Sequence, residues 1–310
     1  MNVVILLAAY NGEAYLPELL SSLSAQTEKD FSVLFQDDGS SDRTPFILSQ
    51  WAAQDPRFRS GQEQGMHLGP KGNFISLLRQ SSADLLMLCD QDDYWEANKV
   101  SRLICRYAEA TSSLPAETPV LVHSDASIID AEGHLVAESF FALQGWDPQA
   151  TGLNRLLVQN NVTGCLTLMN RPLADLVVRY GNPEKMFMHD WFIALTAAAF
   201  GSVFFMPEQL VRYRQHSMNT IGASRNSLPL RALSALRNVD KSKSRIALTY
   251  SHAQAFLDVF GDALPREAAE IIHAYLQTND LPKLRRLAAI RKHGYLMQSP
   301  VTRMGQYLFG

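Results

Sequence analysis

LLMLCDQDDYW, residues 85–95, sets five apolar residues directly against three aspartates in four positions. An apolar run of this length without a polar break reads as a strand covered on both faces, the habit of parallel sheets. Two earlier runs are built alike. Val3–Ala8 leads into Asn11-Gly12, and Phe31–Phe35 leads into QDDGSSD, residues 36–42. Between these runs lie stretches with helical spacing: Leu16, Leu19, Leu20 and Leu23; then Phe46, Ile47 and Trp51; then Phe74, Leu77 and Leu78. Short apolar strands alternating with helices of 10–15 residues predict βαβ units, hence an α/β fold on a mostly parallel sheet flanked by helices. Gly61 to Gly72 reads as a loop.

Further along, the rhythm changes. Residues 120–169 read as short strands and turns, followed by a helix from about Asp190 to Phe200 and a strand pair around Val203–Tyr213. After Ser224 the chain turns helical and basic, giving two expected parts, 1–225 and a helical accessory segment 226–310. The first part carries net charge −9 and the second +6, within a total of −3 over 310 residues. An acidic body makes nucleic-acid binding a poor expectation, and the basic tail lacks the interleaved aromatic residues that stack bases. In 281–292, leucines sit among Lys283, Arg285, Arg286, Arg291 and Lys292. That pattern fits either a solvated helix packed on the body or one lying on anionic lipid.

Composition narrows the class. With 46% hydrophobic and 19% charged residues the chain is globular, not disordered or low-complexity. Three scattered cysteines make a disulfide scaffold or structural zinc site a poor fit and point to a reducing compartment. No stretch reads as a signal peptide or membrane span. A cytoplasmic protein is expected, with peripheral contact at the inner face of the membrane as an added possibility.

Ligands of open α/β sheets bind at the carboxyl ends of the strands, where both acidic clusters fall. Asp90, Asp92 and Asp93 repel one another unless a cation compensates, and an oxygen-only ligand set favours Mg²⁺ or Mn²⁺. The alternative for Asp93 is a cap on a helix beginning near Glu96. An EF-hand loop from Asp90 fails because Trp95 stands where glycine is needed. The spacing of Gly61, Gly65, Gly69 and Gly72 fits neither phosphate-binding glycine motif, and no GxSxG elbow occurs. Lys71 and Asn73 follow Gly69-Pro70 at a helix start, a place suited to anions. Asp190 opens an apolar helix, as a base or as a cap. His216 lies in a polar loop flanked by Arg212 and Arg214.

The ordered series AAYNGEAYL (8–16), FQDDGSSDRT (35–44), LCDQDDYW (88–95) and His189-Asp190-Trp191 resembles the family 2 glycosyltransferases of GT-A fold. More narrowly, NNVTGCLTLMNR (160–171), MHDWFIAL (188–195) and YRQHSMNTIG (213–222) resemble the bacterial rhamnosyltransferase-like branch. The resemblance covers roughly residues 2–222. It implies that Ala8, Tyr10 and Glu13 line a nucleotide pocket, that Asp38 binds the base, and that Asp90-Gln91-Asp92 is the DxD motif with Asp92 the main metal ligand. It implies Asp190 as catalytic base and contact of His216 with metal or diphosphate. The family often carries Glu-Asp where this chain has His189-Asp190. The implied reaction is inverting, metal-dependent transfer of a sugar, best taken as rhamnose from dTDP-rhamnose, to a glycan or lipid-linked acceptor in cell-surface polysaccharide assembly. Its chemistry asks for a divalent cation at the departing diphosphate and one base for the acceptor hydroxyl. Two rivals are a sugar nucleotidyltransferase, which would normally show a glycine-rich, basic N-terminal loop, and a non-catalytic sugar-nucleotide-binding module.

Overall fold

A computed structural model describes residues 1–62, 66–216 and 239–309. The first part alternates β1 (Val3–Ala9), α1 (Leu16–Ser24), β2 (Ser32–Asp37), α2 (Thr44–Gln54), β3 (Phe58–Ser60), α3 (Gly69–Gln80) and β4 (Leu85–Asp90). Next come β5 (Tyr94–Trp95), α4 (Lys99–Thr111), β6 (Val120–Ile129), β7 (Leu135–Ala137), α5 (Phe140–Gln144) and α6 (Leu153–Leu156). The body ends with β8 (Thr167–Asn170), α7 (Arg171–Tyr180), α8 (His189–Phe200) and β9 (Ser202–Arg214). Helices α9 (Val239–Phe260), α10 (Arg266–Gln277), α11 (Lys283–His293) and α12 (Pro300–Phe309) follow. Residues 225–238, with the expected boundary at 225/226 and the start of the basic stretch, lie outside the described residues, as do those after His216 in YRQHSMNTIG.

One mixed sheet runs β3-β2-β1-β4-β8-β6-β9-β5, with β7 beside β6. The pairs around β1, β2, β3 and β4 are parallel, as the alternation with helices predicts. Strand β8 then runs antiparallel to both β4 and β6. Along β1, Val3, Ile5 and Leu7 enter one hydrophobic core while Val4 and Leu6 enter the other. Each side of the sheet is thus covered by helices, which is why these strands read as unbroken apolar runs. Prolines in the first turn of α1, α2, α3 and α7 fit helix starts, where no intrahelical N–H is required.

Four expectations need correction. The strand pair near 203–213 is one strand, β9, whose register against β6 shifts between Ser124↔Met206 and Asp125↔Gln209. Pro207 falls in that shift, and a residue without N–H cannot hold a ladder position, so a bulge replaces the turn that would have made a pair. Residues 120–169 hold a ten-residue strand and two short helices, not only short strands and turns. The loop at 61–72 ends at Gly69, whose φ of +68° opens helix α3. Asp93 caps no helix: β5 intervenes and α4 begins at Lys99 after Asn98.

The C-terminal helices are not a loose appendage. Tyr250, Phe256, Tyr275 and Tyr295 belong to the same core as Leu77 of α3 and Phe192 of α8. No helix among the described residues is long and apolar enough to cross a membrane.

Candidate active site

The carboxyl ends of β1, β2 and β4 lie side by side. Ala8 stands in register with Gln36 of β2 and with Asp90 of β4. The turn after β1 is locked from both neighbours. Gln91 pairs twice with Tyr10, its Oε1 accepting from Tyr10 N and its Nε2 donating to Tyr10 O, both at 2.6 Å. Gly12 makes room for this: a Cβ there would lie 2.3 Å from Gln91 Oε1. Asn11, at φ +48°, donates its N–H to Ser40 Oγ at 2.8 Å, and its Oδ1 accepts from Ser41 N at 2.9 Å. Glu13 N–H donates to Asp42 Oδ2 at 3.0 Å, and Glu13 Oε2 accepts from Arg43 N at 2.9 Å. Glu13 thus ties two loops together, while Tyr10 stays 43% exposed with its ring 4.8 Å from that of His67.

Both aspartates after β2 have work to do. Asp37 takes Gly39 N, Ser40 N and the Ser40 hydroxyl. Asp38, buried, accepts from Leu68 N at 2.6 Å and Gly69 N at 2.8 Å, with His67 Nδ1 3.4 Å away. These amides at the start of α3 therefore already hold an anion, a carboxylate of the chain itself. Lys71, one turn on, donates from Nζ to Met186 O at 2.9 Å.

At the end of β4 the acidic cluster divides. Asp92 Oδ2 lies 2.7 Å from His216 Nε2, and the imidazole stacks on Tyr15 at 4.8 Å. Asp90 and Asp93 turn inward, their carboxylates and Cys165 Sγ within 4.8 Å of one another. Burial, and then the charges of Asp92 and Asp190, push Asp90 up to about 7. Burial also holds Asp93 well above the carboxylate range, while its Oδ1 accepts Arg214 N at 3.1 Å. Beneath them Lys99 is completely buried, donating to Cys165 O at 2.6 Å with its ammonium 3.1 Å above the Trp95 ring centre.

Asp190 lies close enough for its charge to be felt at Asp90. It is the second residue of α8, which begins after Met188, so it does not occupy the cap position. Its Oδ1 accepts Trp191 N at 2.6 Å, the Gly164 amide also reaches its carboxylate, and loss of solvent raises it to about 7. A carboxyl group held near neutrality by its surroundings is what a general base requires. His189 packs on Phe74 at 4.4 Å, and burial lowers it to about 3, leaving a neutral ring.

The arginines beside His216 serve the frame. Arg214 is buried, joined to Glu18, Asp92 O and Ala131 O, with its guanidinium over Tyr15. Arg212 pairs with Glu96 at 2.7 Å. Sequence reasoning quoted Gln91 and Gly164 only as members of motifs, without these roles, and did not name Lys99, since a lysine in isolation carries no such signal.

Residues 4–114 match the family model described as Glycosyl transferase family 2. A curated relative, an uncharacterised protein of Mycobacterium tuberculosis, is 28% identical over 212 residues, 67% of this chain and 57% of that protein. The chain thus spans little more than half the length of that relative. The dTDP-rhamnosyl transferase RfbG of Shigella flexneri is 23% identical over 237 residues, 70% of this chain and 74% of its own. Among solved structures, S. aureus TarS 1–349 in complex with UDP superposes at a TM-score of 0.59 with 16% identity, covering 90% of this chain and 71% of that one. The mannosyltransferase PcManGT of Pyrobaculum calidifontis, in complex with GDP-Man and Mn²⁺, superposes at 0.50 with 17% identity, covering 99% and 84%. Residues 4–114 are thus similar to glycosyl transferase family 2, and the chain takes the GT-A fold of these solved glycosyltransferases.

Proposed function

We propose that this protein transfers a sugar from a nucleoside-diphosphate donor to a hydroxyl group, with inversion, in the assembly of a cell-surface glycan. The observation that carries the reading is two carboxylates gathered about Asp90 and held differently. Asp92 lies against His216, and Asp190, whose charge is felt at Asp90, has a carboxyl group held at about 7.

Asp92 offers a carboxylate oxygen suited to Mn²⁺ or Mg²⁺, with the His216 nitrogen 2.7 Å from it. They would hold such a cation, with Asp90 behind them; when bound, it neutralises charge on the departing diphosphate. Ala8, Tyr10 and Asp38 border the space for the nucleoside. For Asp38 this means sharing its carboxylate with the α3 amides that already occupy it. Glu13 and Lys71 then act on loop geometry, through Arg43 N and Met186 O. Asp190 removes the acceptor's proton as the oxygen attacks the anomeric carbon. A single carboxylate on that side suits one displacement and leaves no second carboxylate to serve as nucleophile.

Rhamnose from a dTDP donor is the preferred substrate, supported by the NNVTGCLTLMNR and MHDWFIAL motifs and by the likeness to RfbG. The acceptor in this reading is a glycan or a lipid-linked sugar. In this reading 1–225 carries the donor and base residues, and the segment 226–310 packs on that body with a basic face suited to the inner face of the membrane. The test is a thermal-shift panel of dTDP-rhamnose, UDP-GlcNAc and GDP-mannose with and without Mn²⁺. The largest stabilisation is expected with dTDP-rhamnose plus metal, and Asp92→Ala should lose its metal-dependent part. An Asp92→Ala protein that keeps wild-type metal dependence would refute the ligand assignment.

A further inference from the structure

Trp191 follows Asp190 directly, and what fixes its ring comes from outside helix α8. Its indole N–H donates to Leu156 O at 2.6 Å, and its ring meets His252 of α9 edge-on with centres 4.4 Å apart. Next to this contact α9 is seated on α8 by Phe192, stacked on Phe260 and crossing Phe256, each at 5.7 Å. The Leu156 segment is itself tied to the C-terminal helices. Asn154 Nδ2 donates to His293 O at 2.9 Å, and Gln298 N donates to Gln159 Oε1 at 3.0 Å. These two restraints on Trp191 lead into residues 239–309, and Phe187, just before α8, also meets its ring edge-on at 5.8 Å.

The Trp191 main chain in turn aims the carboxylate, because its N–H is the 2.6 Å donor to Asp190 Oδ1. His252 is 4% exposed, and neither ring nitrogen has a hydrogen-bond partner among the described residues. The ring therefore acts on its surroundings through packing, against Trp191 and Phe187.

We propose that helix α9 is a positioning element of the reaction centre, with His252 acting through Trp191 to fix the first turn of α8 and the aim of the Asp190 carboxylate. The proposal rests on the reading of Asp190 as base. It makes the C-terminal helices part of the machinery. Displacing a catalytic group by about 1 Å can lower a rate by about 10²-fold.

The experiment uses the full-length enzyme and the donor that stabilises it best in the panel above. His252→Ala should lower kcat by about tenfold or more while the KM for donor stays within about twofold. Hydrogen exchange at the 189–193 amides should quicken. His252→Phe, which keeps a ring against Trp191, should restore kcat and retain the fold if the alanine variant is unstable. Because His252 acts through Asp190, the double variant His252→Ala/Asp190→Asn should be no slower than Asp190→Asn alone. Multiplying losses, or a kcat per folded molecule unchanged in His252→Ala, would overturn the proposal and leave the base intact. A fully active Asp190→Asn enzyme would instead remove the base and with it this proposal.

Discussion

Asp190 separates catalyst from scaffold at the scale of one residue. If it accepts the acceptor's proton, Asp190→Asn keeps shape and the oxygen facing Trp191 N but removes the basicity. Transfer should then fall by roughly 10²–10⁴, with donor affinity nearly unchanged. The pH dependence has a definite sign. With Asp190 at about 7, kcat should fall as pH drops below 7, and this acid limb should vanish in the variant. A profile rising toward low pH would contradict the role. Stability moves the opposite way. Asp90 and Asp190 are raised to about 7, against about 3.9 in an unfolded chain, so the folded protein binds more protons between pH 4 and 7. The metal-free protein should therefore lose stability as pH rises through that window. Melting temperatures at pH 5 and pH 7 should differ less in Asp190→Asn than in the wild type.

At the scale of elements, the junction of α8 and β9 is the tightest test of packing. Gly201 turns the chain beneath Pro119, and a Cβ there would lie 1.9 Å from Pro119 O. Ser202 N must also reach that same oxygen, at 3.0 Å, to start the pairing of β9 with β6. Gly201→Ala forces backbone against backbone, with no flexible side chain to give way. Its cost should lie at the upper end of the about 1–3 kcal/mol usual for overpacking, or beyond it. A thermal melt of the variant measures this; an unchanged midpoint would mean that the junction relaxes freely. The same element scale shows where sequence reading stops. Alternation located β1, β2 and β4, since a buried parallel strand needs an unbroken apolar run. It did not foresee the bulge in β9, because Pro207 marks a break in pairing without saying whether the chain then turns or continues.

At the scale of the molecule, the C-terminal helices meet two surroundings. Their inner faces join the core of the body, so truncation would expose that core. Surface substitutions therefore test membrane contact better. Leu284 is 83% exposed at the start of α11, and Lys283 Nζ reaches Leu308 O of α12, itself 45% exposed. A basic surface carrying exposed leucines suits an anionic bilayer. Wild-type protein should co-sediment with phosphatidylglycerol vesicles at low salt and be released at high salt. The double variant Lys283→Glu/Leu284→Glu should bind more weakly with its melting temperature unchanged. Equal sedimentation of the two would leave α11 as a packing element.

The sequence by itself determined the alternation of strands and helices, the acidic strand ends and the order of Asp38, Asp90, Asp92 and Asp190. These features are local: periodicity follows from burial on one or two faces, and repulsion within an aspartate cluster is visible in any four neighbouring residues. Only the tertiary structure decided which of those carboxylates are occupied and by what. Asp38 is held by the α3 amides, Asp93 receives the Arg214 amide, and Asp92 meets His216 from 124 residues away. Lys99 lies beneath the cluster, and His252 reaches Trp191 from helix α9. Such pairings depend on how strands are ordered and how helices pack across them. No spacing in the sequence encodes them, because the contacts join residues whose separation along the chain bears no fixed relation to their distance in space.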